Sequence, residues 1–126
     1  MAAEMSDVKV LVVDDDAAVL RLVRATLRDE GFEVSTATNG AEALEHMDGA
    51  TSPDAIVLDL EMPVMDGATF FQTVRQRGIQ TPVIILSAHG AHRVRRQLGA
   101  EAAVDKPFDA QVLVDQLREL AGATDR

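Results

Sequence analysis

Cysteine, tryptophan and tyrosine are all absent from this 126-residue chain, and four phenylalanines are its whole aromatic content. Without cysteine the chain forms no disulfide and does no thiol chemistry, which fits a reducing cytosol. Basic residues are also scarce, 12 against 21 acidic ones, for a formal net charge of −9. That balance argues against nucleic-acid or anionic-membrane binding by this chain itself, because both partners attract a net basic surface. Its longest apolar runs are four to six residues, far below a membrane span. The opening MAAEMSD has neither the basic nor the apolar region of a signal peptide, so a cytoplasmic protein is expected.

What the chain does contain is 47% apolar residues in a length that suits one domain with a proper core. A single domain over 1–126 is expected, ordered from about 7 to 122, with a few frayed residues at each end. The stretch DAIVLDLEMPVMDG, from Asp54 to Gly67, organises the reading. Ala55, Ile56, Val57 and Leu58 form a short apolar run typical of a strand buried on both faces of a parallel sheet. Asp59 follows at the strand's carboxyl end, where an aspartate either caps a turn or stands in the crevice that collects reactive groups in open α/β sheets. Pro63 and the Asp66-Gly67 pair then turn the chain before a helix.

Taken in order, Val8 to Val13 reads as a first strand running straight into Asp14, Asp15 and Asp16. A helix from about Ala17 to Glu30 sets Leu20, Val23 and Leu27 on an inner stripe and Arg21, Arg24 and Arg28 on another, with Gly31 as a left-handed cap. Phe32 to Ala37 reads as a second strand. Asn39 and Glu42 have the spacing of a capping box, opening a helix to about Met47 with Ala43, Leu44 and Met47 inward. Asp48 to Pro53 is a polar loop before the central strand. A third helix from Asp66 to near Gly78 offers Phe70, Phe71 and Val74 to the core. Pro82 to Leu86 is a fourth buried strand with Ser87 right after it. A helix from about Ala91 to Leu98 turns Ala91, Val94 and Leu98 inward, and His92, Arg93, Arg95 and Arg96 mostly outward. Ala102 to Val104 is a short fifth strand, followed by Asp105, Lys106, Pro107 and Phe108. Asp109 then caps a last helix burying Leu113, Leu117 and Leu120. Strands alternating with helices across short connections mean a parallel sheet covered on both faces.

In such a sheet Asp14, Asp15, Asp59, Ser87 and Lys106 all reach one edge. Carboxylates about 4 Å apart repel by roughly 4 kcal/mol per pair at an effective dielectric near 20, so they either take up protons or hold a cation. Oxygen ligands without His or Cys suit a hard ion, and a small, water-retaining site favours Mg2+ over Ca2+. A metal, an ammonium and a hydroxyl around one carboxylate are what a transferring phosphoryl group needs, with Asp59 attacking in line. A single Lys106-aspartate pair at the surface would be worth under about 1 kcal/mol, but five suitable residues at four strand ends are a set.

VLVVDDD near the start, DAIVLDLEMPVMDG in the middle, then VIILSA and DKPF, in this order and at these intervals, resemble the receiver domain of two-component response regulators over nearly the whole chain. The resemblance implies a flavodoxin-like, doubly wound five-stranded sheet in the order 2-1-3-4-5 with five helices; the chemotaxis regulator of this family is a type case of that order. It implies a phosphorelay signalling domain rather than a turnover enzyme, with Asp59 accepting a phosphoryl group from a sensor histidine kinase or phosphotransfer protein and then switching a downstream protein partner. Asp15 and Asp59 would ligate Mg2+ through side chains, Asp14 mainly through water, and Glu61 through its backbone carbonyl. Ser87 would bond the phosphoryl group and shift on activation, Lys106 would pair with one of its oxygens, and Pro107 would follow a cis peptide.

Two departures stand out. Receivers commonly carry Tyr or Phe three residues before the lysine, and here that position is Ala103. Between Ser87 and Lys106 the chain is about three residues shorter than typical members, close to one helical turn, with the loss expected around Gly90 and Ala91. Ordering of the loop from Ser87 to Ala91 could still serve activation. Glu61 and His89, each two residues past a site residue, are candidates for setting how long the phosphoryl group lasts. His89 with His92 is a weak metal pair, and Arg93, Arg95 and Arg96 read as a solvated helix face before an acidic docking site. The alternatives are a haloacid-dehalogenase-like Mg2+ phosphatase, for which Glu61 stands where an aspartate is wanted and no cap segment is visible, and a receiver cut from a DNA-binding regulator.

Overall fold

Short β-branched runs separated by amphipathic helices leave the chain one economical arrangement, a parallel sheet whose crossovers cover both faces. A computed structural model of the chain describes residues 8–48, 52–62, 64–88 and 90–124. The elements in order are β1 (Lys9–Val13), α1 (Ala17–Asp29), β2 (Glu33–Ala37), α2 (Gly40–Glu45), β3 (Ala55–Asp59), α3 (Gly67–Gln76), β4 (Val83–Ser87), α4 (Ala91–Leu98), β5 (Ala102–Asp105) and α5 (Ala110–Thr124). All four strand pairings are parallel and the spatial order is β2-β1-β3-β4-β5, as expected.

Strand side chains alternate between two cores. Leu11, Val13, Ile56, Leu58 and Ile85 face α2, α3 and α4, where Ala43, Phe70, Phe71, Val74 and Ala91 meet them. Val10, Val12, Val57, Ile84 and Leu86 face α1 and α5, packing on Leu20, Val23, Leu27, Leu113, Val114 and Leu117. Every residue of β3 and β4 is buried, which is why both read as unbroken apolar runs.

Helix ends follow the expected chemistry with some shifts. Asp16, Asn39, Asp66 and Asp109 accept backbone N–H bonds of 2.8 to 2.9 Å in the first turns of α1, α2, α3 and α5. The bond from Thr69 holds the Asp66 carboxyl below its ordinary range. Gly31, at φ 96, closes α1 as Phe32 N–H donates to the Leu27 carbonyl at 3.0 Å. The box at α2 is altered: Glu42 reaches back to the N–H and hydroxyl of Thr38 rather than to Asn39. That helix stops at Glu45, although Met47 is still buried. Ser87 is the last residue of β4 instead of following it. Val94 and Leu120 are only half-buried, while Val114, not singled out from the sequence, is fully buried. Pro63, His89 and part of the polar loop before β3 lie outside the described residues, so the expected Pro63 turn and the His89-His92 pairing do too.

Two close backbone approaches lock the loop after β3. A Cβ on Gly67 would stand 2.5 Å from the Asp59 carbonyl oxygen and 2.8 Å from Leu60 Cα, so only glycine lets α3 start this near the end of β3. A Cβ on Gly40 would fall 2.7 Å from Met65 Cγ, and Gly40 N–H donates to the Met65 carbonyl at 3.0 Å. At the opposite edge of the sheet Arg75 donates to the carbonyls of Ile79 and Thr81 at 3.0 Å each, pairs with Glu101 at 3.2 Å, and stacks 4.5 Å from the Phe71 ring. Gly67→Ala should therefore cost about 1–3 kcal/mol of unfolding free energy, the usual range for overpacking. Urea titration checks the size, and backbone amide shifts at Asp59 and Leu60 check that the strain falls there.

Candidate functional site

The carboxyl ends of β1, β3, β4 and β5 converge because the strands run in register: Val13 pairs with Leu58, Asp59 with Leu86, and Ser87 with Asp105. The first residue past β1, the last of β3 and β4, and the first past β5 thus meet at one edge. Asp14, Asp59 and Ser87 are the buried polar residues among those described, at 0%, 1% and 3% exposure, whereas Asp15 is exposed at the mouth. Lys106 reaches in from beyond β5. Its Nζ donates to Asp14 Oδ2 at 3.0 Å and to Asp59 Oδ1 at 3.1 Å.

This is not the exposed ion pair weighed above, because both carboxylates are withdrawn from water. Burial, and after it the neighbouring Asp14 charge, push the Asp59 carboxyl up to about 6. The Lys106 ammonium and the Glu61 backbone N–H pull the other way without overcoming them. Burial also works against the charge on Lys106, but the bonds and charges of Asp14 and Asp59 outweigh it and raise its pKa. Asp14 Oδ1 is further fixed by the Asp16 N–H at 2.9 Å.

Carboxylate oxygens of Asp14, Asp15 and Asp59 lie within 4.8 Å of one another. Such a set has no imidazole or thiol and one member open to water, and it fits a hard divalent ion. Asp16 does not join it. Its side chain turns to the amides of Ala18 and Val19, so the third acid of the run belongs to helix α1. Glu61 lies exposed two residues beyond β3, with its backbone N–H on Asp59. Ser87 sits at the end of β4 with its carbonyl accepting from Lys106 N–H at 2.9 Å. The Lys106-Pro107 peptide is cis, as expected. The feature sequence reasoning missed is Asp105: its carboxylate accepts from Ala91 N–H, joining β5 to α4, and no local spacing signals that contact.

A scan of protein families matches residues 10–118 to the response regulator receiver domain. Among curated proteins the chain is similar to the transcriptional regulatory protein PrrA of Mycobacterium leprae, at 44% identity over 95% of this chain and 52% of that protein. It is 38% identical to the response regulator MprA of Mycobacterium ulcerans, over 93% of this chain and 51% of that one. The chain spans about half the length of these relatives. Among solved structures it resembles the receiver domain of the Francisella response regulator 1452, with a TM-score of 0.87 and 31% identity over 94% of this chain and 99% of that one. The chemotaxis protein CheY4 of Vibrio cholerae matches at a TM-score of 0.80 and 35% identity, over 90% and 98% of the two chains.

The raised Asp59 carboxyl sets a pH dependence. Unfolded, it titrates near 3.8; folded, near 6; so the native state binds the extra proton between them and stability falls as pH rises through that window. The full effect is about 3 kcal/mol at roughly 1.4 kcal/mol per unit, less whatever solvent relaxation returns. In metal-free buffer Asp59→Asn should therefore be more stable than wild type by about 1–3 kcal/mol above pH ~7, and nearly equal to it near pH ~4. Urea unfolding of both proteins at the two pH values checks this; a difference independent of pH would contradict it.

Proposed function

The chain belongs to the response regulator receiver domain family, and on that premise we propose that Asp59 is its phosphoacceptor, served by Lys106 and Ser87 and by a Mg2+ site built from Asp14, Asp15, Asp59 and the Glu61 backbone carbonyl. Phosphorylation on an aspartate by a histidine kinase is the general function of this family, and its members signal through two-component systems. The observation that carries the assignment to Asp59 is its place: a buried carboxylate ending the central strand, with one oxygen bonded to an ammonium and the others of its cluster within 4.8 Å.

The chemistry follows from that placement. An ionised Asp59 oxygen attacks phosphorus of a phosphohistidine, the P–N bond breaks, and the phosphoryl group stays on Asp59 as a mixed anhydride while histidine leaves with the electron pair. Lys106, already within 3.1 Å of Asp59, follows the new negative charge to a phosphoryl oxygen. Ser87, at the neighbouring strand end, offers its hydroxyl to another. Asp14, beside Asp59 and bonded to the same ammonium, helps hold the ion. Bound there, Mg2+ supplies positive charge for the phosphoryl oxygens and relieves the repulsion among the aspartates.

The proposed donor is a sensor histidine kinase or phosphotransfer protein, and the proposed output is altered affinity for a protein partner. PrrA is a transcriptional regulatory protein about twice as long as this chain, so any DNA contact in a comparable protein is assigned to a segment outside the receiver. The proposed setting is the cytoplasm; no helix among the described residues is long and apolar enough to cross a membrane. Residues 1–126 are proposed to form one receiver unit that catalyses only its own phosphotransfer and dephosphorylation, and not turnover of a separate substrate.

Intact mass after incubation with acetyl phosphate and Mg2+ should show a single phosphoryl adduct, lost with EDTA and absent in Asp59→Asn; equal labelling of the amide variant would overturn the assignment. Glu61 stands at the open side of the site and is proposed to govern access of hydrolytic water. Glu61→Ala should change the phosphoryl lifetime by about threefold or more, the scale of a weak general-base or steric effect. Decay of the adduct by mass against time checks it, and an unchanged lifetime would dismiss the role. The companion expectation for His89 falls outside the described residues and is tested in the same way.

A further inference from the structure

Four of the five helices start on a side chain from the residue just before them, and α4 does not. Gly90, at φ 69, precedes α4 with no side chain to offer, and no acid stands in its first turn. The Ala91 N–H donates instead to Asp105 Oδ1 at 3.3 Å, fourteen residues away, while His92 Nε2 lies 3.7 Å from Oδ2. Asp105 ends β5. It pairs in register with Ser87 and immediately precedes Lys106, whose own N–H donates to the Ser87 carbonyl at 2.9 Å. The first turn of α4 is thus hung from the strand end that carries the lysine of the site.

The charge pattern suits this bond. Helix α4 bears His92, Arg93, Arg95 and Arg96 and no acidic residue, so its positive N-terminal dipole has no carboxylate of its own. Asp105 supplies one from the neighbouring strand. Its side chain is about half-exposed, and bonds in such surroundings are weak, which allows a small displacement to make or break them.

We propose that Asp105 is a positioning residue that caps α4 from β5 and thereby couples the Lys106-Ser87 end of the site to the first turn of α4. The coupling rests on the reading of Asp59 as phosphoacceptor: a phosphoryl group that draws Lys106 and Ser87 moves the backbone on both sides of Asp105, and the cap moves with it. The cap in the resting protein stands without that reading.

Hydrogen exchange over residues 91–98 tests both halves, on the full chain, for wild type, Asp105→Ala and Asp105→Asn, before and after acetyl phosphate with Mg2+, with intact mass taken on the same samples. At rest, Asp105→Ala should exchange about tenfold faster in the first turn of α4, the size of a lost cap, and Asp105→Asn, which keeps an acceptor oxygen, should stay within about threefold of wild type. Phosphorylation should alter exchange of α4 in wild type and leave it unchanged in Asp105→Ala. Resting exchange of the alanine variant equal to wild type, or an undiminished response to phosphorylation in it, overturns the proposal. A mass that never gains a phosphoryl group defeats the Asp59 reading instead, while the resting comparison still decides whether Asp105 caps the helix.

Discussion

Two carboxylates withdrawn from water beside each other, and the one ammonium that makes this tolerable, are what the rest of this molecule is arranged to hold. Asp14 and Asp59 both bond to Lys106, and the compensation is incomplete, since Asp59 still titrates well above an ordinary carboxyl. Burial sets that residue of unfavourable energy. A site of this kind is left short of positive charge, and a divalent ion or a transferring phosphoryl group with its counter-charge changes the balance more than it would at the surface. The unfavourable energy of the resting site and its fitness for a hard cation are the same electrostatic fact.

Holding the three groups there depends on a scaffold that brings no chemistry itself. Register between four parallel strands brings residues distant in sequence to one edge, and two cores fix the strands so that this edge cannot slide. The loop after β3 is held by close contacts at Gly40, against Met65, and at Gly67, against the Asp59 and Leu60 backbone, so that α3 begins almost against the Asp59 peptide. Val64 takes a left-handed φ of 69 in that loop and is 84% exposed, a conformation that costs a β-branched residue free energy and persists because both ends of the loop are pinned.

Much of this was legible in the sequence because it is local. Buried strands announce themselves as runs such as AIVL and VIIL, helices as stripes such as Leu20, Val23 and Leu27, and caps as Asp or Asn just before a stripe. The site was legible for a related reason: strand ends can be counted, and in a parallel sheet they share an edge. What stayed hidden is direction. Asp14, Asp15 and Asp16 are chemically alike and consecutive, yet one is buried on Lys106, one stands at the mouth, and one caps α1. Contacts between distant residues were equally invisible, as with Arg75 to Glu101 and Ala91 to Asp105, because neither pair leaves a spacing that a periodicity could reveal.

Position 103, where receivers commonly carry an aromatic ring, is an alanine held in the core. Ala91, Ala100 and Ala103 are nearly or fully buried in the same core, with Leu98 partly buried against it, where α4 lies on β4 and β5. A large ring at position 103 would have to enter a filled space, at the cost typical of overpacking, or else push α4 away. Helix α4 is joined by its first backbone N–H to the Asp105 side chain, and through the paired strand ends at Ser87 and Asp105 to the residue that holds the acidic pair together.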